Sequence, residues 1–156
     1  MLLYRLIIIF VLLFSNIGTT QMDNNILAIM STSQEIIIYQ DGTETEINSN
    51  NKDYTRITSE LLALSNSCRE CPAFGVALHN ETVEAMKDGL WIEFKFDRNI
   101  SHNEMPFEAL LIQVVGEYTG FNIIRKYDDK YEGRCFYVDL LDTDLSSLES
   151  LIEFIV

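Results

Sequence analysis

The spacing of apolar residues changes several times along this chain, and each change predicts an element. Residues 35–40 (EIIIYQ) are β-branched and aromatic and stop at Asp41-Gly42, a turn dipeptide suited to a hairpin into 43–47. Beyond a polar run at 48–52, Tyr54, Ile57, Leu61 and Leu64 recur at helical spacing behind Asn51, a side chain able to cap the first turn. This predicts an amphipathic helix over 52–66. A second, shorter helix is expected over 80–87, capped by Asn80 and stopped at Gly89. From 90 to 97 the pattern alternates, with Leu90, Ile92, Phe94 and Phe96 on one side and Trp91, Glu93, Lys95 and Asp97 on the other, the period of a half-buried strand. Strand-like runs follow at 107–115, 121–127 and 134–140, joined by turn residues at 116–120 and 128–133. Leu145, Leu148, Leu151, Ile152 and Ile155 close the chain at helical spacing, with Ser146 and Glu149 placed as a capping box.

The joints between the later strands are too short for crossover helices, so these strands should run as an antiparallel meander. The expected fold class is therefore α+β, a four- to five-stranded antiparallel meander sheet with helices packed on one face. The uncovered face would carry Trp91, Glu93 and Lys95 and would be the natural partner surface.

The N-terminus has a different character. Residues 6–14 (LIIIFVLLF) are uninterruptedly apolar, preceded by Arg5 and followed by small polar residues up to Thr20. That is the order of a secretory signal, and the run is shorter than the roughly 20 residues of a spanning helix. Residues 1–20 are accordingly read as a signal peptide or an uncleaved signal anchor, 21–34 as a tether and 35–156 as a single α+β domain. The expected location is secreted or at the cell surface, with membrane attachment only through the N-terminal segment.

Composition narrows the function classes. Of 156 residues, 47% are hydrophobic and only 2 are Pro, which excludes a disordered or collagen-like chain. Against 24 Asp and Glu stand 11 Lys and Arg, a formal charge of −13, so the chain lacks the cationic footprint of a nucleic-acid binder.

Candidate chemistry centres on Cys68-Arg69-Glu70-Cys71. Two thiols at this spacing can form a redox disulfide or supply half of a metal site. The motif follows a helix, however, and a thioredoxin-like pair opens one. In an oxidising compartment a Cys68–Cys71 disulfide, or a bond from either to Cys135, is the plainer reading, with one thiol left over. Cys135, inside a strand, reads as a small buried hydrophobe. His79 and His102 are the two side chains a hydrolytic triad would recruit, but no nucleophile motif accompanies them and both read as solvated loop residues. Carboxylates at Asp128, Asp129, Glu132, Asp139, Asp142 and Asp144 read as acidic surface, since Lys130 breaks the calcium-loop spacing begun at Asp128. Arg125 and Arg134 flank one turn and either meet on an anion or pair with carboxylates on the sheet rim. Asn80-Glu81-Thr82 and Asn99-Ile100-Ser101 match the glycan acceptor triplet.

The segments Trp91-Ile92-Glu93-Phe94, Met105-Pro106-Phe107, Gly120-Phe121-Asn122-Ile123-Ile124-Arg125 and Tyr131-Glu132-Gly133-Arg134-Cys135-Phe136-Tyr137, together with the Asp41-Gly42 turn, resemble small uncharacterised exported α+β proteins of Gram-positive, clostridia-type bacteria. The resemblance spans about 35–140 and implies the domain limits and export, with no activity attached. The resulting expectation is an exported, non-enzymatic binding or interaction module that needs no cofactor and meets an extracytoplasmic protein or ligand. The alternative is a thiol redox or metal-binding protein using Cys68 and Cys71.

Overall fold

The computed structural model describes residues 25–156. The signal reading of 1–20 and the first residues of the tether lie outside the described residues. No helix among those described is long and apolar enough to cross a membrane.

The chain is α+β. Among the described residues four helices, α1 (Ile26–Met30), α2 (Lys52–Ser65), α3 (His79–Ala85) and α4 (Ser146–Ile155), accompany ten strands: β1 (Glu35–Gln40), β2 (Thr43–Asn48), β3 (Arg69–Cys71), β4 (Val76–Ala77), β5 (Leu90–His102), β6 (Met105–Gln113), β7 (Gly120–Tyr127), β8 (Lys130–Tyr131), β9 (Gly133–Arg134) and β10 (Phe136–Asp139). An eight-stranded sheet runs in the order β2-β1-β5-β6-β7-β10-β3, with β8 paired to β7, while β4 and β9 form a separate pair. Every pairing is antiparallel. The expected meander is present as β5-β6-β7-β10, and it is widened by the β1/β2 hairpin on one edge and β3 on the other.

Three hairpins turn on two residues with positive φ: Asp41-Gly42 (49°, 79°), Asn103-Glu104 (50°, 63°) and Asp128-Asp129 (51°, 61°). Left-handed backbone at both central positions matches the twist of the flanking strands, which fixes register without a long loop. Asp41-Gly42 is legible as a turn because Asp and Gly tolerate that conformation. β5 is longer than the 90–97 expected, because a bulge between Lys95 and Ile100 lets it continue to His102.

One face of the sheet carries Ile36, Ile38, Ile92, Phe94, Leu110, Ile112, Ile123 and Val138, packed with Leu27 of α1, Ile57 and Leu61 of α2 and Leu148 and Ile152 of α4. Helix α2 begins where its pattern predicts, with the Asn51 carboxamide accepting from the Asp53 N–H. Helix α4 departs from its expected capping box: Asp144 accepts from the Ser146 N–H at 3.0 Å, and the Ser146 hydroxyl donates to the Gly116 carbonyl at 3.1 Å.

Two expectations are corrected here. The stretch read as a tether contains α1, whose Ile26, Leu27 and Met30 are fully buried in the main core. Its five residues are too few to show an amphipathic period, so composition alone suggested a linker. The helices also do not share one face. Met86, just past α3, clusters with Trp91, Leu111 and Tyr131 on the side opposite the main core, so the face expected to be open is partly covered. β5 is consequently buried on both sides from Leu90 to Phe94.

If α1 belongs to the core, Leu27→Ala should cost about 2–5 kcal/mol, the usual penalty for truncating a buried leucine. Urea unfolding of the full chain measures it, and a change within about 0.5 kcal/mol, as at an exposed site, would return the segment to a tether.

Candidate functional site

The covered face of the sheet holds an ionisable side chain where a strand pattern predicts solvent. Glu93, the fourth residue of β5, is only 1% exposed. Register places it beside Ile37 of β1 and Leu111 of β6, with Ile124 of β7 next in the row. Its carboxylate accepts from the Tyr131 hydroxyl at 2.7 Å and from the Tyr39 hydroxyl at 3.0 Å. Lys126 of β7 approaches the same carboxylate at 3.7 Å, spans to Asp129 at 3.5 Å and lies over the Tyr131 ring, 5.3 Å from its centroid. A buried carboxylate is tolerable only when its oxygens are met in this way.

Each partner reaches Glu93 through a distinct element. Tyr39 comes from the hairpin side, and Tyr131 from β8, the two-residue strand that the Asp128-Asp129 turn folds back against β7. Behind Tyr131 stands His79 of α3, its ring stacked at 6.0 Å and 17° and its Nδ1 accepting from the Tyr131 N–H at 3.2 Å. Burial, then the neighbouring Glu93 charge, pushes both phenols well above the ordinary tyrosine range. Both hydroxyls remain protonated at neutral pH and are committed as donors, so the two tyrosines present rings rather than a base or nucleophile.

Over this network lies an open hollow of about 280 Å³. Tyr39 and Tyr131 form its floor, Val83 and Met86 an apolar wall, and Gly42, Glu44 and Lys87 its rim. Val83 is 40% exposed, an apolar side chain held toward solvent at the mouth. Lys87 is paired with Glu84 on its own side of the hollow. The arrangement suits an apolar or aromatic group set against two rigid rings, with polar groups at the margin to orient it.

The residues singled out from sequence are dispersed. Among the described residues no disulfide joins Cys68, Cys71 and Cys135, which corrects the expected pairing. The cause is local: 69–71 is the extended strand β3, and at roughly 3.3 Å per residue the ends of the motif stand about 10 Å apart, beyond the reach of a disulfide. Cys68 packs partly buried against the main core, and Cys135 is buried, which raises its thiol above the ordinary range. No group of three His, Cys, Asp or Glu among the described residues is arranged to hold a metal ion.

Neither histidine is a solvated loop residue. His79 opens α3 and packs on Tyr131, while His102 ends β5, 14% exposed, with Nε2 on Glu70 at 2.8 Å and its ring against Phe136. Glu70, the second middle residue of the cysteine motif, also accepts from Asn103 at 2.9 Å and from the Ile26 N–H at 3.0 Å. It thereby ties α1, β3 and the β5/β6 turn together. A hollow of about 530 Å³ lies beside it, lined among others by Cys71, Arg134 and Phe136.

Arg125 and Arg134 donate to backbone carbonyls, and among the described residues neither forms an ion pair with a carboxylate. Arg125 donates to Pro106 at 2.7 Å and to the Arg134 carbonyl at 2.8 Å, and burial lowers its pKa, while Arg134 donates to Ala73 at 3.2 Å. Of the acidic residues, Asp139 meets Arg69 at 2.8 Å and accepts from the Leu141 N–H at 2.9 Å, and Asp144 accepts from the Ser146 N–H at the start of α4. Compared with known protein families, with curated proteins and with solved structures, the chain matches none.

The Glu93 network was missed because its members lie on three strands and alternation assigns Glu93 to the open face. One signal was available: a lone acid between Ile92 and Phe94, beside Trp91, in the otherwise apolar first five residues of β5.

Tyr131→Phe, which strands one carboxylate oxygen without opening a cavity, should cost about 1.5–3 kcal/mol, and pairing it with Glu93→Gln should give a non-additive cycle. The raised phenols also set a sign for alkaline stability. Above pH about 10 the unfolded tyrosines ionise while the folded ones hold their protons. The folded state then binds more protons, so stability present below pH about 10 declines as pH rises, and less so in Tyr131→Phe. Urea midpoints from pH 8 to 11 measure it; an equal slope in both proteins would detach Tyr131 from Glu93.

Proposed function

We propose that this chain is an exported binding module that uses the hollow between the β1/β2 hairpin and α3 to hold an apolar side chain of an extracytoplasmic protein. The observation that carries the reading is the Tyr39–Glu93–Tyr131 network beneath the hollow. Two aromatic rings are fixed there by hydrogen bonds to a buried carboxylate, so a partner group that packs on them meets a surface already ordered. Binding energy at interfaces concentrates where rigid aromatic residues line such recesses, and little rotamer freedom is left to lose. The volume of about 280 Å³ suits one large side chain better than a cofactor. Export is proposed from the order of basic, apolar and small polar residues over 1–20 and from the resemblance to exported proteins, and it sets where the partner is met.

A photoreactive phenylalanine analogue placed at Val83, in the mouth of the hollow, tests the reading in the producing cells. Phe74, 68% exposed and packed on Tyr137 of β10 toward the opposite end of the strand order, is the comparison position. Illumination is expected to join the Val83 variant to a second polypeptide at least about tenfold more than the Phe74 variant, a ratio corresponding to a specific site. Equal labelling at both positions, or none at Val83, would sink the proposal.

A further inference from the structure

The hollow does not end at its rim. It runs into β2, the terminal strand of the eight-stranded sheet, whose outer edge pairs with no strand among the described residues. The turn geometry shows which groups that edge offers. In a two-residue hairpin the closing pair, here Gln40 and Thr43, exchanges both backbone hydrogen bonds, and the pattern then alternates. Thr43, Thr45 and Ile47 therefore face β1, while Glu44, Glu46 and Asn48 aim their N–H and C=O groups outward. The Asp41 N–H donating to the Gly89 carbonyl on the β5 side at 3.0 Å fits the same alternation.

The edge is flanked by recesses on both sides. On one lies the hollow over Tyr39 and Tyr131, reached past Glu44. On the other a recess of about 440 Å³ is lined by Gln40, Asp41, Thr43, Thr45 and the C-terminal Val156. A strand laid against β2 would send alternate side chains toward the two recesses, the arrangement by which added strands gain both affinity and selectivity. Charge selects what kind of strand. Glu44 and Glu46 are exposed on the hollow side and Asp41 stands at the turn. In a chain of net charge −13 a second copy of β2 would set glutamates near glutamates.

We propose that β2 receives an extended cationic segment of a partner protein as a ninth strand, its lysines or arginines opposite Glu44 and Glu46 and an apolar side chain in the hollow. This rests on the hollow being the binding site and adds the partner's chemistry and its mode of attachment.

The test uses the full chain and an acetylated six-residue peptide with lysine at its first and third positions, valine at its fifth and threonine at the others, which places two lysines and the valine on one side of an extended strand, with its glutamate-for-lysine counterpart as comparison. At ionic strength about 0.01 M the lysine peptide is expected to bind at least about tenfold more tightly, the ratio narrowing at about 0.15 M. Hydrogen exchange should slow at Glu44, Glu46 and Asn48 and stay unchanged at Thr43 and Thr45. Glu46→Pro removes an outward N–H without touching the ladder to β1, a position where an edge strand accepts proline. It should abolish binding, whereas Glu46→Gln should weaken it only a few-fold. Should the proline variant fail to fold, a lysine peptide N-methylated on its protein-facing amides makes the same cut from the other side and should not bind. Equal binding of the two peptides, undiminished binding after N-methylation, or a dimer of the chain that Glu46→Pro dissolves would each overturn the proposal. Val83 cross-linking that persists in Glu46→Pro would overturn strand addition and leave the hollow as the binding site; its absence in the parent chain would remove both.

Discussion

The carboxylate of Glu93 is buried in the middle of the sheet, and the whole second face is arranged around it. Moved from water to an apolar site without partners, such a group costs several kcal/mol, enough to unfold a domain of this size. It therefore requires donors from strands that are not its neighbours in sequence. Tyr39 supplies one from β1 and Tyr131 another from β8, while Lys126 supplies positive charge from β7. Tyr131 can do so only because the left-handed Asp128-Asp129 turn folds β8 back at once, and His79 of α3 packs behind its ring. The hollow is the space left above this assembly. Its floor is rigid for the same reason that the carboxylate is tolerated.

Glu70 shows the same principle at the other end of the molecule. It receives the first N–H of α1 and, from the β5/β6 turn, the His102 ring and the Asn103 amide, so two separate segments converge on one side chain of a third. The difference lies in exposure. Glu70 and His102 keep 16% and 14% of their side-chain surface in water, whereas Glu93 keeps 1% and depends on protein donors almost entirely. Glu70 consequently acts as a clasp near the surface, and Glu93 as the fixed point of an interior network.

What could be read from the chain follows from how each contact is encoded. Helix α2, the Asp41-Gly42 hairpin and the β5-β6-β7-β10 meander were legible because period, cap and turn chemistry are local properties. Helix α1, β3 and β8 were not, since elements of two to five residues carry too few positions for any period to show, and tertiary pairing alone makes them regular. The cysteine motif misled for a related reason. Spacing along the chain says nothing about distance until the backbone conformation is known, and in an extended strand an i to i+3 pair diverges. The residue of that motif that matters to the fold is Glu70, whose role needs His102 and Ile26 brought from 32 and 44 positions away.

The two edges of the sheet differ in what they offer a further strand. β3, at one end, is only three residues long, and Glu70 at its centre is tied to His102 and to α1, so it offers little edge for pairing. β2, at the other end, is six residues long with half its backbone groups turned outward. Edges of that length invite indiscriminate pairing unless something discourages it, and charge is the usual means. Here the discouraging charges are glutamates of one sign. A uniform sign repels another copy of the same strand while leaving an oppositely charged one welcome, so protection against self-association and the selectivity proposed for a cationic partner become one property of the same two side chains.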